Sequence, residues 1–374
     1  MKFRIHLDID FLKNRKYYWI LVIVITILAF ALRFNNIGIP DYCDELNYVK
    51  LARFISYGHL ASSTSGALYD IYVEHGAILI WGSEIEIVEP WFDHPPLFSI
   101  LSIPFWMIGM PRLLPIFLGA LSAFMIMYLL RAEEYKSILA GLIFSFFPFA
   151  VQLNAMMLLD NGSSFFFLLT ISLTLKYEKD SADIFLLLAG ISAGFSFLCK
   201  EFGAYSILYL LFYLLFTRKS LKDYKALILA IGIASSYFVV GLMLNKELFL
   251  DIISKLVNLA GTGSFKQNAY WGFLNTAIRD FSYNINEFKI GDVSPLLFVS
   301  WISLGAFFTS RKNKIIKIGI LSLLITFIAI KYTWFQTWIA IYPFFSIALV
   351  HIIHKILAYL GVLKLVKRAR ECFL

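Results

Sequence analysis

Four short polar stretches interrupt this apolar chain, and the first carries three carboxylates of the kind that serve in acid–base chemistry. Asp41, Asp44 and Glu45 lie in the sequence IPDYCDELNYVKLAR, directly after the first apolar run. Asp41 suits the N-cap of a helix, and Asp44 and Glu45 would then lie in its first turn, where the helix dipole favours carboxylates by about 0.3–1 kcal/mol. The residues alone therefore leave two roles open, capping and chemistry.

The other three stretches each combine charge with an apolar setting. Asp93 and His94 precede a rigid pair of prolines, Asp160 falls in a turn-like sequence between two apolar runs, and Lys200 and Glu201 interrupt a third apolar stretch. Ionisable groups at membrane depth are costly, and they are usually paired or functional. The structural alternatives are a local Asp–His hydrogen bond, a turn residue and an interfacial ion pair, respectively.

The composition determines which elements must position these residues. The chain has 374 residues, of which 60% are hydrophobic and 16% charged, and its mean hydropathy is +0.75, whereas soluble domains contain roughly 25% charged residues. Apolar runs long enough to cross a hydrocarbon core of about 30 Å recur along it. The net charge of +8 lies in short patches between these runs, which indicates membrane topology rather than nucleic-acid binding. We therefore predict an all-α polytopic membrane protein, with residues 1–374 forming one membrane domain.

Ten apolar runs predict ten membrane-spanning helices, and the positive-inside rule predicts their orientation. The predicted spans are 17–34, 112–130, 136–153, 162–176, 184–199, 203–217, 225–244, 294–309, 314–331 and 335–353. The proline-rich segment 95–111 is short, and every strongly basic loop falls on the cytoplasmic side only if this segment does not cross. We therefore expect it to lie along the outer interface or to pack within the bundle.

This topology places both termini and the basic tail 354–374 in the cytoplasm, and it leaves two large external loops, 35–111 and 245–293. The first loop holds nine acidic residues against only Lys50 and Arg53. Long loops commonly carry function. The polar stretches are thus predicted to gather acids, a histidine and a cation around one external mouth.

The order of these motifs resembles a known family, the membrane glycosyltransferases of the GT-C fold. Within it, the closest resemblance is to the branch of dolichyl-phosphate-mannose protein mannosyltransferases and lipid A aminoarabinose transferases. The resemblance covers roughly the first 220 residues. The matching residues are Asp44, Glu45, Tyr48, Ala52 and Arg53, followed by HPPL at 94–97, RLLP at 112–115, LLDN at 158–161 and KEFG at 200–203.

The resemblance implies a transferase that moves one sugar from a polyprenyl-phosphate donor to an acceptor outside the cytoplasm, with inversion at the anomeric carbon. The acceptor could be a protein, a glycan or another lipid, and the cell membrane is the expected location. Asp44 corresponds to the catalytic carboxylate of the family, and Glu45 is its neighbour in the active site. A positioned base suits this chemistry, because the acceptor hydroxyl must lose its proton as the anomeric carbon becomes oxocarbenium-like.

The same resemblance suggests substrate-binding roles for four further residues. Lys200 would be the counter-charge for the departing lipid phosphate, and Arg53 could face either that phosphate or the acidic pair. His94 and Asp160 would contact substrate at the same mouth. Asp160 could also bind a divalent cation, magnesium or manganese, together with Asp44.

Two other functions fit a polytopic chain with charged residues near the membrane. A transporter or lipid flippase is the main alternative, and an inactive scaffold is a second. Transporters often show two similar halves with broken spans in matching positions. Here the two external loops are dissimilar and the charges concentrate outside the midplane, which favours the transferase.

Overall fold

The computed structural model describes residues 15–38, 43–60, 62–63, 78–80, 83–85, 87–88, 92, 94–217, 220–262, 294–308, 313–330 and 335–359. Within these ranges the chain is mainly helical. The α-helices are α1 (Arg15–Phe34), α2 (Cys43–Ser56), α3 (Leu97–Met107), α4 (Leu113–Leu129), α5 (Glu134–Phe146), α6 (Pro148–Leu153), α7 (Leu159–Asp180), α8 (Asp183–Cys199), α9 (Ala204–Phe216), α10 (Lys225–Thr262), α11 (Ser294–Phe308), α12 (Lys314–Ile330) and α13 (Tyr342–Tyr359). Short 3₁₀ segments cover Glu201–Gly203, Leu221–Tyr224 and Phe335–Ala340.

Four very short strands lie in the first predicted external loop. Strand β1 (Ser62–Ser63) pairs antiparallel with β4 (Ile87–Val88), and β2 (Ile78–Ile80) pairs antiparallel with β3 (Ser83–Ile85). Each strand has only two or three residues. These pairs do not alter the helical class that the sequence predicts, and that class is confirmed.

Each of the ten predicted spans coincides with a helix or with two consecutive helical segments. By length and composition, three helical segments of the described residues could cross a membrane on their own: Arg15–Phe34, Leu221–Ser254 and Trp338–Tyr359. That number is smaller than ten because the other described helices are shorter or less apolar. Pro148 explains one such case, since it starts α6 and divides the predicted span 136–153 into two helices.

Helix α10 contains a second break, at Asn245. This residue has an extended backbone (φ −157°, ψ 92°), and its side-chain oxygen accepts a hydrogen bond from the backbone N–H of Leu248 at 3.1 Å. The side chain thus caps the helix that restarts there. The predicted span ends at 244, where the structure bends, and the restarted helix belongs to the predicted external loop 245–293.

Helix α3 occupies the segment that was predicted not to cross. Its 11 residues rise about 16 Å, roughly half the thickness of a hydrocarbon core. It packs against α2, α4 and α8, and Phe98, Ser99 and Ser102 are buried in these contacts. Gly109 follows the helix with φ +74°, a left-handed conformation that commonly ends helices at glycine. The segment is therefore a short element packed in the bundle.

A compact apolar cluster joins the elements that carry the polar motifs. It contains Tyr48, Phe98, Leu114, Leu118, Met157, Leu159, Phe165 and Cys199. Gly162 makes the close approach possible, because a Cβ there would lie 2.5 Å from Phe98 Cδ2 and 2.8 Å from the Cys199 sulfur. The beginning of α7 thus lies directly against α3 and the end of α8. This packing brings the four polar stretches of the sequence towards one region.

Candidate active site

Glu45, in the first turns of α2, forms a buried two-point ion pair with Arg112. Arg112 Nε donates to Glu45 Oε1 and Nη2 donates to Oε2, both at 2.7 Å. The two residues are only 1% and 7% exposed. Arg112 Nη1 also donates to the carbonyl of Ile37, at 2.7 Å. Paired, charge-assisted hydrogen bonds of this kind fix orientation as well as contributing energy, so α2 is anchored to the start of α4 and to the chain that follows α1.

The turn between α6 and α7 supplies a third donor to the same carboxylate. The backbone N–H of Met157 donates to Glu45 Oε1 at 2.7 Å. Glu45 therefore lies against the stretch that leads to Asp160, three residues further along. The structure in this way connects the first polar stretch of the sequence to the third.

Lys200 and Asp160 form a second buried pair. Lys200 Nζ donates to Asp160 Oδ2 at 2.6 Å, and the side chains are 2% and 7% exposed. Asp160 lies in the first turn of α7, and Lys200 follows the last residue of α8. The charge of each residue compensates part of the desolvation cost of the other. An isolated ion at this depth would bear that cost without compensation.

Glu201 turns away from Lys200 and contacts His94 instead. Lys200 has an extended backbone (φ −160°, ψ 138°), and successive side chains of an extended chain point to opposite sides. Gly203 fixes the turn that follows, because a Cβ at that position would lie 2.1 Å from the Ser196 carbonyl oxygen. The KEFG motif therefore directs two adjacent charged groups to different partners. Lys200 pairs with Asp160 and Glu201 with His94, and the two do not pair with each other.

His94 Nδ1 lies 2.9 Å from Glu201 Oε2. Burial raises the pKa of Glu201, but the charge and hydrogen bond of His94 and the charge of Lys200 outweigh that effect and hold the pKa below its ordinary value. A carboxylate only accepts hydrogen bonds, so the imidazole donates from Nδ1. The His94 ring also packs edge-on against Tyr48 of α2, with ring centroids 5.9 Å apart.

A fourth polar contact, which the sequence analysis missed, lies at the end of α1. Arg33 is fully buried, and its Nε and Nη2 donate to Asn154 Oδ1 at 3.3 and 3.2 Å. Asn154 Nδ2 in turn donates to Asn161 Oδ1 at 2.6 Å. Gly119 leaves room for the guanidinium, since a Cβ there would lie 2.7 Å from Arg33 Nε. The signal in the sequence was a lone arginine closing an apolar run.

Contacts of the described residues connect part of the predicted site to α2: the turn before Asp160 donates to Glu45, and His94 packs against Tyr48. Asp44 belongs to the first turn of α2, but the structure does not describe its side chain. Asp41 and Asp93 lie outside the described residues. Arg53 lies in the last turn of α2, about two turns beyond Glu45. In the sequence, Arg112 belongs to the RLLP motif and Glu201 to the KEFG motif, but neither motif indicates that Arg112 pairs with Glu45 or Glu201 with His94.

A cavity of about 340 Å³ lies beside the Glu45–Arg112 pair. Its wall also includes Ile37, Val49 and Met110, so it combines one ion pair with apolar side chains. The cavity lies between α2 and the turn that joins α3 to α4. Such a mixed lining suits an amphipathic ligand.

The described carboxylates do not form a donor set for magnesium or manganese. Among the residues that the structure describes, no group of three or more His, Cys, Asp or Glu side chains could hold a metal ion. Asp160 faces the Lys200 ammonium and Glu45 faces the Arg112 guanidinium. A cation bound at either carboxylate would have to displace a positive charge, whereas hard divalent cations require several free oxygen ligands.

Comparison with known proteins identifies a similar family and a similar fold. Residues 93–243 match the family model described as dolichyl-phosphate-mannose-protein mannosyltransferase. Two crystal structures of ArnT from Cupriavidus metallidurans, one in the apo state and one bound to undecaprenyl phosphate, resemble the chain with TM-scores of 0.55 and 0.54 at 15% sequence identity. Each comparison covers 90% of this chain and 60% of the ArnT chain.

The chain thus spans about 60% of the length of the structures that it matches. A comparison with curated protein sequences gives no match. The resemblance that the motifs indicated is confirmed by the family model, which covers three of the four polar stretches, and by the fold, which extends over nine-tenths of the chain. The chain is therefore an integral membrane protein with the GT-C fold of membrane glycosyltransferases, and its central segment resembles the dolichyl-phosphate-mannose-protein mannosyltransferases.

Proposed function

We propose that this protein is a glycosyltransferase that moves a single sugar from a polyprenyl-phosphate donor to an acceptor hydroxyl on a protein, a glycan or another lipid. The reaction takes place at the outer face of the cell membrane, with both chain termini in the cytoplasm, and inverts the anomeric centre. One observation carries the proposal: three charged pairs from separate elements are linked to α2, directly at Glu45 and through the contacts of Met157 and His94, in a chain with the GT-C fold. The undecaprenyl phosphate bound to one ArnT structure supports the class of donor.

In the proposed reaction, the acceptor oxygen attacks the anomeric carbon while the bond between that carbon and the phosphate oxygen breaks. The acceptor proton passes to Asp44, and the polyprenyl phosphate leaves with both electrons of the broken bond. Proton transfer to a positioned base typically contributes 10²–10⁴-fold to a rate. The Glu45–Arg112 pair and the Met157 N–H hold the first turn of α2, and this anchoring supports Asp44 as the base.

The remaining site residues deal with charge and orientation. Lys200 is bound to Asp160, and the stretch before Asp160 contacts Glu45, the chain neighbour of the proposed base, through the Met157 N–H. In the proposed reaction the Lys200 ammonium offsets the negative charge of the departing phosphate. Asp160 keeps this ammonium in place. His94, which packs against Tyr48 of α2, and Arg53, in the last turn of α2, contribute donors to the substrate. No step requires a metal ion, in keeping with the cations that already face Asp160 and Glu45.

The test is transfer by the purified protein in lipid vesicles that contain a radiolabelled polyprenyl-phosphate monosaccharide and candidate acceptors. The unsubstituted protein should form labelled product, and Asp44→Asn should abolish product formation while its unfolding is unchanged. Lys176→Ala is a matched control, because this residue belongs to an exposed pair with Asp180 at the other end of α7. Normal transfer by Asp44→Asn would show that Asp44 is not the base. Movement of the lipid across the bilayer without sugar transfer would instead support a flippase.

A further inference from the structure

We propose that Glu201 is a positioning residue for His94: its carboxylate holds the imidazole in the Nδ1–H tautomer at the mouth of the active site. The inference rests on the proposed function and assigns a role within that site. The contact behind it is the 2.9 Å hydrogen bond between His94 Nδ1 and Glu201 Oε2.

The orientation of His94 is determined from two sides. The chain before α3 presents the ring, and Pro95 and Pro96 restrict the backbone directly after it. Tyr48 packs against the ring edge-on from α2, and Tyr48 lies one helical turn beyond Glu45 on the same face. These contacts define where the ring lies, but they do not decide which of its nitrogens carries a proton. The hydrogen bond to Glu201 keeps the proton on Nδ1, because the partner of one ring nitrogen commonly sets the tautomer of a histidine.

Glu201 is itself held firmly. It begins the 3₁₀ turn Glu201–Gly203, and Gly203 packs this turn onto the last turn of α8 with no space for a Cβ. Its neighbour Lys200 is fixed by Asp160 on the opposite side of the extended chain. A glutamate on such a turn has little freedom to leave His94.

The chemical consequence concerns the other nitrogen of the ring. With the proton fixed on Nδ1, neutral His94 has Nε2 as an acceptor, and protonated His94 has Nε2–H as a donor. Among the residues that the structure describes, those that face the ring include Glu201, with Lys200 and Asp160 beyond it, and Tyr48. With the tautomer fixed, protonation of the ring alone decides whether Nε2 donates or accepts a hydrogen bond. Glu201 therefore acts on substrate through His94 and not by direct contact.

The first measurement does not depend on activity. The protein is labelled with ¹⁵N-histidine in lipid nanodiscs, and the His94 resonances are assigned by their loss in His94→Ala. The unsubstituted protein should carry its proton on Nδ1 in the neutral state. Glu201→Ala should shift the proton towards Nε2, while Glu201→Gln should keep it on Nδ1, because the amide oxygen still accepts the hydrogen bond. Unchanged His94 resonances in Glu201→Ala would overturn the proposal.

The second measurement is transfer. Glu201→Ala should lower kcat/KM about tenfold, the equivalent of about 1.4 kcal/mol, and Glu201→Gln should restore most of it. Glu201→Ala should add nothing in a His94→Ala background, because effects that pass through one residue are not additive. Glu133→Ala is the control, since the side chain of this glutamate is 22% exposed, close to the 26% of Glu201, and is paired with Lys136 elsewhere.

Equal losses in Glu133→Ala and Glu201→Ala, or a full additional loss in the His94→Ala background, would contradict the positioning role. Absence of transfer by the unsubstituted protein with every donor would count against the proposed function alone. The resonances of His94 would then still decide whether Glu201 positions the ring.

Discussion

Replacing Arg112 by methionine should strongly destabilise the protein, because the change leaves a buried carboxylate without its counter-ion. Glu45 is 1% exposed and receives two hydrogen bonds from Arg112 at 2.7 Å. In Arg112→Met, the Met157 N–H remains as a donor to Glu45 Oε1. Removing one partner of a buried ion pair typically costs about 3–5 kcal/mol. Methionine retains much of the arginine stem, so lost packing adds little to this figure.

A second substitution separates the charge from the packing. In the double variant Glu45→Gln with Arg112→Met, both charges of the pair are removed, and the glutamine oxygen can still accept from Met157. The carbonyl of Ile37 loses its donor in both variants. An unsatisfied buried polar group of this kind costs about 1–3 kcal/mol. The double variant should therefore be more stable than Arg112→Met alone.

The assay is the free energy of unfolding in mixed micelles, measured at pH 7 by titration with a denaturing detergent. Lys176→Ala serves as the control, because its pair with Asp180 is about one-third exposed and should contribute little. If Arg112→Met is as stable as this control, the buried pair does not hold α2 in place. If the double variant is no more stable than Arg112→Met, the loss comes from packing and not from the unpaired charge.

Two further predictions follow from close contacts in the site. Gly203→Ala should lower both the unfolding free energy and transfer, because its Cβ would lie 2.1 Å from the Ser196 carbonyl oxygen; Gly232→Ala, which meets nothing within 4 Å, should not. Unchanged transfer in Gly203→Ala would show that the turn tolerates movement. Treatment with EDTA should leave transfer intact, because Asp160 is bound to Lys200, and a loss that manganese restores would contradict this.

The positions of the helices could be predicted from the sequence because they depend on local composition. Long apolar runs separated by basic loops can only form helices in a membrane, where each backbone polar group needs a partner within its own segment. The break before Pro148 was also readable, since proline clashes with the preceding turn of a helix. The predicted span 136–153 crosses this proline because the apolar run continues beyond it.

The partners of the charged residues could not be predicted in the same way. The Glu45–Arg112, His94–Glu201 and Lys200–Asp160 contacts join residues 67, 107 and 40 positions apart in the chain. Motif order grouped most of these residues in one site, but pairing depends on backbone direction at single positions. The extended conformation at Lys200 is the clearest case, because it separates two neighbours that the sequence suggested as an ion pair.

The turn between α6 and α7 explains why these pairs form one site and not three. The Asn154 side chain accepts from Arg33 of α1, the Met157 N–H donates to Glu45 of α2, and Asp160, at the start of α7, accepts from Lys200 after α8. Each contact uses a different donor or acceptor of the same eight-residue stretch, 154–161. A shift of this stretch would therefore disturb α2 and the KEFG turn together. The proposed base and the proposed counter-charge for phosphate consequently depend on one short segment for their relative position.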